Sequence, residues 1–378
     1  MFFYYVARLL PHIAGFQLSS FSRRSKSDFA MMLKFQQICV FLLLPVLLNA
    51  CAKPYLYPVA AGQSVPSLHD DYALMNDGYK LPVHRWGSPV DQQAIVLATH
   101  GMNDYGFSFE STGKYMAGKG ITLLSYDQRG FGDTVGYGYW HGSQRLIDDS
   151  RTMLSLIREQ YPDKAIFLLG ESMGGAVLLA TLNQTNSNIS GVILIAPAIW
   201  SRQTMPWYQR FLLWLAAHTM PAKELTGEGL DLMPSDNIEM LRALGQDPLV
   251  IKATRVDVLF GVTNLMDIAS EASSNFTHAS LILYGKHDQI IPRKPTCAWL
   301  QDLPESDSNN REIIIYENGY HMLNRDLQAE KVLADIADWI NKSISTKSGT
   351  IQQKHAVLAR KEKAGVELSD FCKTSIND

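Results

Sequence analysis

The chain has 378 residues, a formal net charge of −3, 46% hydrophobic residues and 19% charged ones. This is the composition of a globular protein with a sizeable core, and without a basic stripe interleaved with aromatics it excludes a nucleic-acid-binding role. The four cysteines, Cys39, Cys51, Cys297 and Cys372, form no Cys-x-x-Cys pair, so neither a zinc ligand set nor a redox motif is supported, and no metal or cofactor is expected.

In chain order, residues 1–50 read as a leader and signal peptide. Met31-Met32-Leu33-Lys34 supplies a start and a positive charge, Ile38 to Ala50 is an apolar run interrupted by Pro45, and Leu48-Asn49-Ala50-Cys51 closes it. A charged end, an apolar middle and a small-residue site mark an export signal, and the run is too short for a comfortable membrane span. Cys51 directly after the small residue resembles a bacterial lipoprotein box. It predicts an exported chain lipid-anchored at Cys51 in a bacterial cell envelope, at the outer membrane or its periplasmic face. An ordinary signal is the alternative. Residues 1–30, with Arg23-Arg24-Ser25-Lys26, read either as the product of an upstream start codon or as a long basic leader. Residues 51–68 are rich in Pro, Gly and Ser and suit a tether.

Asp71 to Trp86 reads as an edge hairpin. Short apolar runs then alternate with helical segments: Ala94 to Thr99, Ile121 to Tyr126, Ala165 to Leu169 and Gly191 to Ala196 as strands, and Ser143 to Tyr161 as a helix. This alternation predicts an α/β fold with a mostly parallel, doubly wound sheet. Residues 69–197 form the first part of this core. From 198 to 278 the pattern changes to helical runs with no convincing strand, which predicts an inserted helical cap. Within it Trp207, Phe211, Trp214 and Leu215 share one helical face behind Pro206; they line a substrate pocket, pack as the cap's own core, or do both. Asp247, in Gly245-Gln246-Asp247-Pro248-Leu249, is expected to start the next helix. Residues 279–345 complete the core and end in an amphipathic helix with Val332, Ile336, Trp339 and Ile340 on one stripe. Residues 346–378 read as a polar tail, solvated or loosely docked.

The motif that carries chemistry is Gly170-Glu171-Ser172-Met173-Gly174-Gly175. It lies between a strand-length apolar run and a run that suits a buried helix, which is the context of a nucleophile elbow. Glycines flank Ser172 because side chains there would collide with the neighbouring strand or helix, and the helix start turns backbone N–H groups toward a developing oxyanion. A serine needs a base, and the base needs an orienting acid. Asp288 follows the strand-like run Ser280 to Tyr284, and His321 follows the run Glu312 to Tyr316. Both sit on loops after strands, in the chain order such a sheet requires. Alternatively, Asp288 is a turn-capping carboxylate and His321 a helix cap. His287 lies too close in sequence to Asp288 to bridge to Ser172. The loop His100-Gly101-Met102 follows an early strand, so the backbone N–H groups of Met102 and Met173 are the expected oxyanion donors, while the His100 ring is expected to bond to its own loop.

These residues, with Tyr126-Asp127-Gln128-Arg129-Gly130-Phe131-Gly132, Gly285-Lys286-His287-Asp288 and Tyr320-His321, resemble the α/β-hydrolases of the monoacylglycerol lipase and lysophospholipase group, also described as serine aminopeptidase-like. The resemblance spans about Asp71 to Lys342. It departs at Glu171, where many members carry His. The resemblance implies an α/β-hydrolase fold and a serine esterase acting on a lipid-like ester, monoacylglycerol or lysophospholipid, through Ser172, His321 and Asp288. Two alternatives stand beside it: an aminopeptidase or amidase of small substrates, and a non-catalytic binding protein of the same fold. Acyl length, head group and oligomeric state are not legible in the sequence.

Overall fold

The computed structural model describes residues 53–58, 62–185, 188–304, 311–347 and 368–373. The leader, Cys51 and most of the tail lie outside the described residues. A nine-stranded sheet is built from β1 (Ser67–Leu68), β2 (Tyr72–Leu74), β3 (Lys80–Trp86), β4 (Ala94–Thr99), β5 (Ile121–Tyr126), β6 (Ala165–Glu171), β7 (Gly191–Ile195), β10 (Ser280–Gly285) and β11 (Arg311–Tyr316). Its spatial order is β1-β2-β3-β5-β4-β6-β7-β10-β11. The hairpin β2–β3 and its junction with β5 are antiparallel; from β5 to β11 every neighbour is parallel. This is the mostly parallel sheet that the alternation of runs predicts, in the arrangement the resemblance implies.

The central strands read as continuous apolar runs because helices cover both faces. Successive residues divide between two cores. Leu97, Leu168, Leu194 and Ile282 face one, while their chain neighbours Val96, Phe167, Ile193 and Leu281 face the other, the period of two that a pleated strand imposes. The first core is covered by α2 (Ser143–Gln160) and α3 (Met173–Asn183), the second by α1 (Glu110–Gly118) and α8 (Ala329–Lys347). The predicted stripe of α8, Val332, Ile336, Trp339 and Ile340, is buried in that second core.

Between β7 and β10 lie α4 (Trp207–Thr219), α5 (Ile238–Gln246) and α6 (Val256–Ala272). The segment is not wholly helical: β8 (Glu224–Thr226) and β9 (Ala253–Arg255) form an antiparallel pair. They are only three residues each, too short to stand out as period-two runs. Asp247 closes α5 instead of opening the next helix; Pro248 behind it prevents continuation. The last helix of the segment is shared with the core, since Val258, Leu265, Met266 and Ala269 of α6 join the first core.

The described residues of the expected tether and tail are docked on the core. Within the expected tether, Tyr57 donates its N–H to the Trp140 carbonyl at 2.8 Å, accepts from Arg145 at 2.7 Å and stacks on the His141 ring. Gly136 makes room for this ring: a Cβ there would stand 2.7 Å from it. Within the expected tail, α9 (Leu368–Lys373), after α7 (Arg293–Asp302), buries Phe371 and is tied to α7 by a disulfide between Cys297 and Cys372. A search for closely spaced cysteines passes over partners 75 residues apart.

Candidate active site

The parallel strands end on one edge, and the candidate residues gather there. β6 runs into α3 through Ser172, whose φ of 51° and ψ of −116° place it in a region L residues rarely occupy. Short backbone bonds over-determine that turn. The Ser172 N–H donates to the Ile195 carbonyl at 2.9 Å, and its carbonyl accepts from Gly175 and Ala198, each at 2.9 Å. The flanking glycines are obligatory. A Cβ on Gly174 would come within 1.9 Å of the Thr99 carbonyl oxygen, and one on Gly170 within 2.7 Å of the Gly175 backbone.

His321, on the loop after β11, reaches across this turn. Its Nε2 lies 2.9 Å from Ser172 Oγ and its Nδ1 2.8 Å from Asp288 Oδ2. A carboxylate only accepts, so Nδ1 carries the proton and Nε2 is free to accept from the serine hydroxyl. Asp288 spends its other oxygen on the N–H groups of Ile290 and Ile291, at 2.8 and 3.0 Å, which fixes the carboxylate beside the ring. Both side chains are buried. Burial alone would lower the His321 pKa, but the Asp288 carboxylate and, to a lesser degree, Glu171 outweigh that, so the imidazole titrates above its ordinary value of 6.5. His287 does not join this line; its ring lies against Tyr320.

Met102 and Met173 line the same cavity as the serine. The backbone at Gly101 runs beside the elbow: a Cβ there would be in van der Waals contact with Ser172 Cβ, at 3.4 Å. The His100 ring is tied to its surroundings as expected: Nδ1 lies 2.8 Å from the Gly101 carbonyl and Nε2 accepts the Gln128 N–H at 3.0 Å. Buried between these partners, it is held neutral, with its pKa pushed down by desolvation.

The cavity over Ser172 measures about 620 Å³, counting its mouth open to solvent. Its wall is apolar: Ala198 and Trp200 after β7, Leu213 of α4, Leu259 and Met266 of α6, and Ile291 beside Asp288. No lining residue is charged. The predicted aromatic stripe is not part of it. Trp207, Phe211 and Trp214 are 71, 53 and 49% exposed, forming neither a pocket wall nor a cap core. The inward face of α4 is instead Gln209, Leu213, Ala216 and Ala217. Sequence reading chose the wrong face because α4 is apolar on two sides and the outer one carries the larger side chains.

The cap is pinned beside the serine. The Tyr105 hydroxyl donates to Asp247 at 2.8 Å, and Asn103 donates to Thr254 at 2.7 Å. Sequence reasoning missed a further group. Arg325, four residues after His321, pairs with Glu171 at 2.8 Å and with Asp104 at 2.7 Å. The one signal of it was the unusual Glu171.

Set against known proteins, residues 90–328 match the model of the family described as serine aminopeptidase, S33. Monoglyceride lipase of Mus musculus is 25% identical over 303 residues, covering 76% of this chain and 95% of that protein. Monoacylglycerol lipase of Mycolicibacterium smegmatis is 21% identical over 275 residues, covering 70% and 93%. Among solved structures, a soluble variant of monoglyceride lipase from Saccharomyces cerevisiae in complex with a substrate analog superposes with a TM-score of 0.58 at 23% identity, covering 77% of this chain and 99% of that one. The monoacylglycerol lipase of Paleococcus ferrophilus gives a TM-score of 0.57 at 20% identity, covering 70% and 99%. The chain belongs to the serine aminopeptidase S33 family and has the α/β-hydrolase fold.

Proposed function

We propose that the protein is a serine esterase that cleaves carboxylic esters of apolar acyl chains, with monoacylglycerol or lysophospholipid as the substrate class. The observation that carries the reading is the line Ser172–His321–Asp288, with both links at hydrogen-bond distance, opening into an apolar cavity. Ser172 Oγ attacks the ester carbonyl while His321 Nε2 takes its proton. The imidazolium then gives that proton to the departing alcohol, and water repeats the cycle on the acyl-enzyme. Asp288 holds the tautomer and stabilises the imidazolium. The N–H groups of Met102 and Met173 receive the oxyanion. The uncharged cavity wall supports an acyl chain over the amino terminus of a peptide, which would need a carboxylate partner. Names of the relatives support the lipid ester.

The test is kcat/KM for p-nitrophenyl esters of increasing acyl length, with amino-acid p-nitroanilides alongside. Each methylene buried contributes about 0.8 kcal/mol, so the ratio rises roughly fourfold per carbon until the cavity is full. Preference for acetyl, or for the anilides, overturns the lipid-ester reading. The base must be neutral to act, and its pKa lies above the ordinary value, so kcat/KM should be half-maximal on the acid side at a pH above 6.5.

We further propose export and anchoring through a lipidated Cys51. The Cys297–Cys372 disulfide supports an oxidising compartment. Mass spectrometry of the mature N-terminus tests this: a lipid-modified Cys51 as first residue is expected, and an unmodified or differently placed terminus overturns it.

A further inference from the structure

Arg325 sits where three segments meet. Its guanidinium lies 2.8 Å from Glu171 Oε1 at the end of β6 and 2.7 Å from Asp104 Oδ2 on the loop after β4. All three side chains are buried. Asn324 adds a bond to the other Glu171 oxygen at 3.3 Å. One planar cation therefore ties the loop that carries His321 to the elbow that carries Ser172 and to the loop that carries Met102. A buried cation facing two carboxylates is over-compensated by one negative charge, an arrangement costly to desolvate. As a mere strut it is extravagant, since a single ion pair or an apolar contact would join the same loops at lower cost.

We propose that Glu171, acting through Arg325, is a positioning residue: it holds the His321 and Met102 loops in register with Ser172 and adds a second buried negative charge to the surroundings of the imidazole. The proposal rests on the Ser172–His321–Asp288 reading. Charges around His321 come from every side. Asp288 faces Nδ1 from the loop after β10, the Glu171 carboxylate acts on the ring from the end of β6, and Arg325 opposes both from its own loop. Asp326, also on that loop, is bonded to Ser235 and to the Tyr320 N–H, and His287 packs on Tyr320. In the cycle His321 becomes positive, and Glu171 is the second carboxylate placed to stabilise that state.

The experiment compares Glu171→Gln and Arg325→Lys with wild type, reading kcat, KM, the pH profile of kcat/KM and thermal unfolding. Glu171→Gln keeps the shape and the acceptor facing Arg325 but removes the charge and gives up the bond from Asn324. It should lower kcat about tenfold with KM within about twofold, and move the acid limb to lower pH, because the neutral imidazole is then easier to reach. Arg325→Lys keeps the charge but loses the two-sided fork. It should lower kcat while leaving the acid limb in place, which also keeps the proposal testable should Glu171→Gln fold poorly. Wild-type kcat and pH profile in Glu171→Gln, or wild-type kcat in Arg325→Lys, would reduce the cluster to a strut and overturn the proposal. An acid limb that moves upward in Glu171→Gln overturns the electrostatic part. If Ser172→Ala retains full activity, the reading beneath fails instead, whatever Glu171 does.

Discussion

The elbow and the first cap helix are both short, largely uncharged segments beside the cavity, yet they are determined to very different degrees. At the elbow, backbone contact fixes nearly every residue: Gly170 and Gly174 have no space for a Cβ, and Ser172 holds a positive φ among backbone bonds to its own N–H and carbonyl. On α4 only the inner face is fixed. Leu213, Ala216 and Ala217 are packed, while Trp207, Phe211 and Trp214 look outward, with Trp214 stacked on Phe211 and on His218. Where the backbone itself makes the contacts, residue identity and spacing report geometry. Where a helix lies on a surface, periodicity reports that faces exist but not which one looks inward.

The largest expected effect falls on the elbow. Gly174→Ala drives a methyl to within 1.9 Å of the Thr99 carbonyl oxygen, a backbone atom that cannot swing away. It should cost about 3 kcal/mol or more in denaturant unfolding. A loss below about 1 kcal/mol would mean that the elbow can relax and is not fixed as described.

A smaller effect is expected on the inner face of α4. Leu213→Phe adds bulk to the cavity wall and should shorten the optimal acyl chain by one or two carbons, each worth about 0.8 kcal/mol in kcat/KM. An unchanged length profile would remove α4 from the acyl site.

The smallest effect belongs to the outer face. Trp207→Ala should change stability by less than about 0.5 kcal/mol and leave the length profile for soluble esters unaltered, since the ring is mostly in solvent. Loss of the length dependence would restore the aromatic stripe to the substrate site.

The same contrast explains what could be read in advance. The parallel core was legible because its strands are apolar on both faces and separated by helices, and the order Ser172, Asp288, His321 was legible because each follows a strand run. Residues that act by meeting across the fold were not. Arg325 and Asp104 look like ordinary loop charges, and nothing local to either announces that Asp104 and Glu171 converge on Arg325. Cys297 and Cys372 meet only when the C-terminal helix docks. Leu213 lay hidden between larger neighbours on the same helix, its inward direction set by packing on the core and not by its own sequence.

The central claim is that Ser172 is the nucleophile and His321 its base. The most direct measurement is mapping, by mass spectrometry, of the adduct left by a fluorophosphonate on wild type, Ser172→Ala and His321→Ala. The account predicts a single adduct on Ser172 in wild type and none in Ser172→Ala. Labelling of His321→Ala should be slower by about 10³-fold, with cooperative unfolding retained in both variants. An adduct on another residue, or Ser172→Ala that still labels and turns over ester at the wild-type rate, would contradict it.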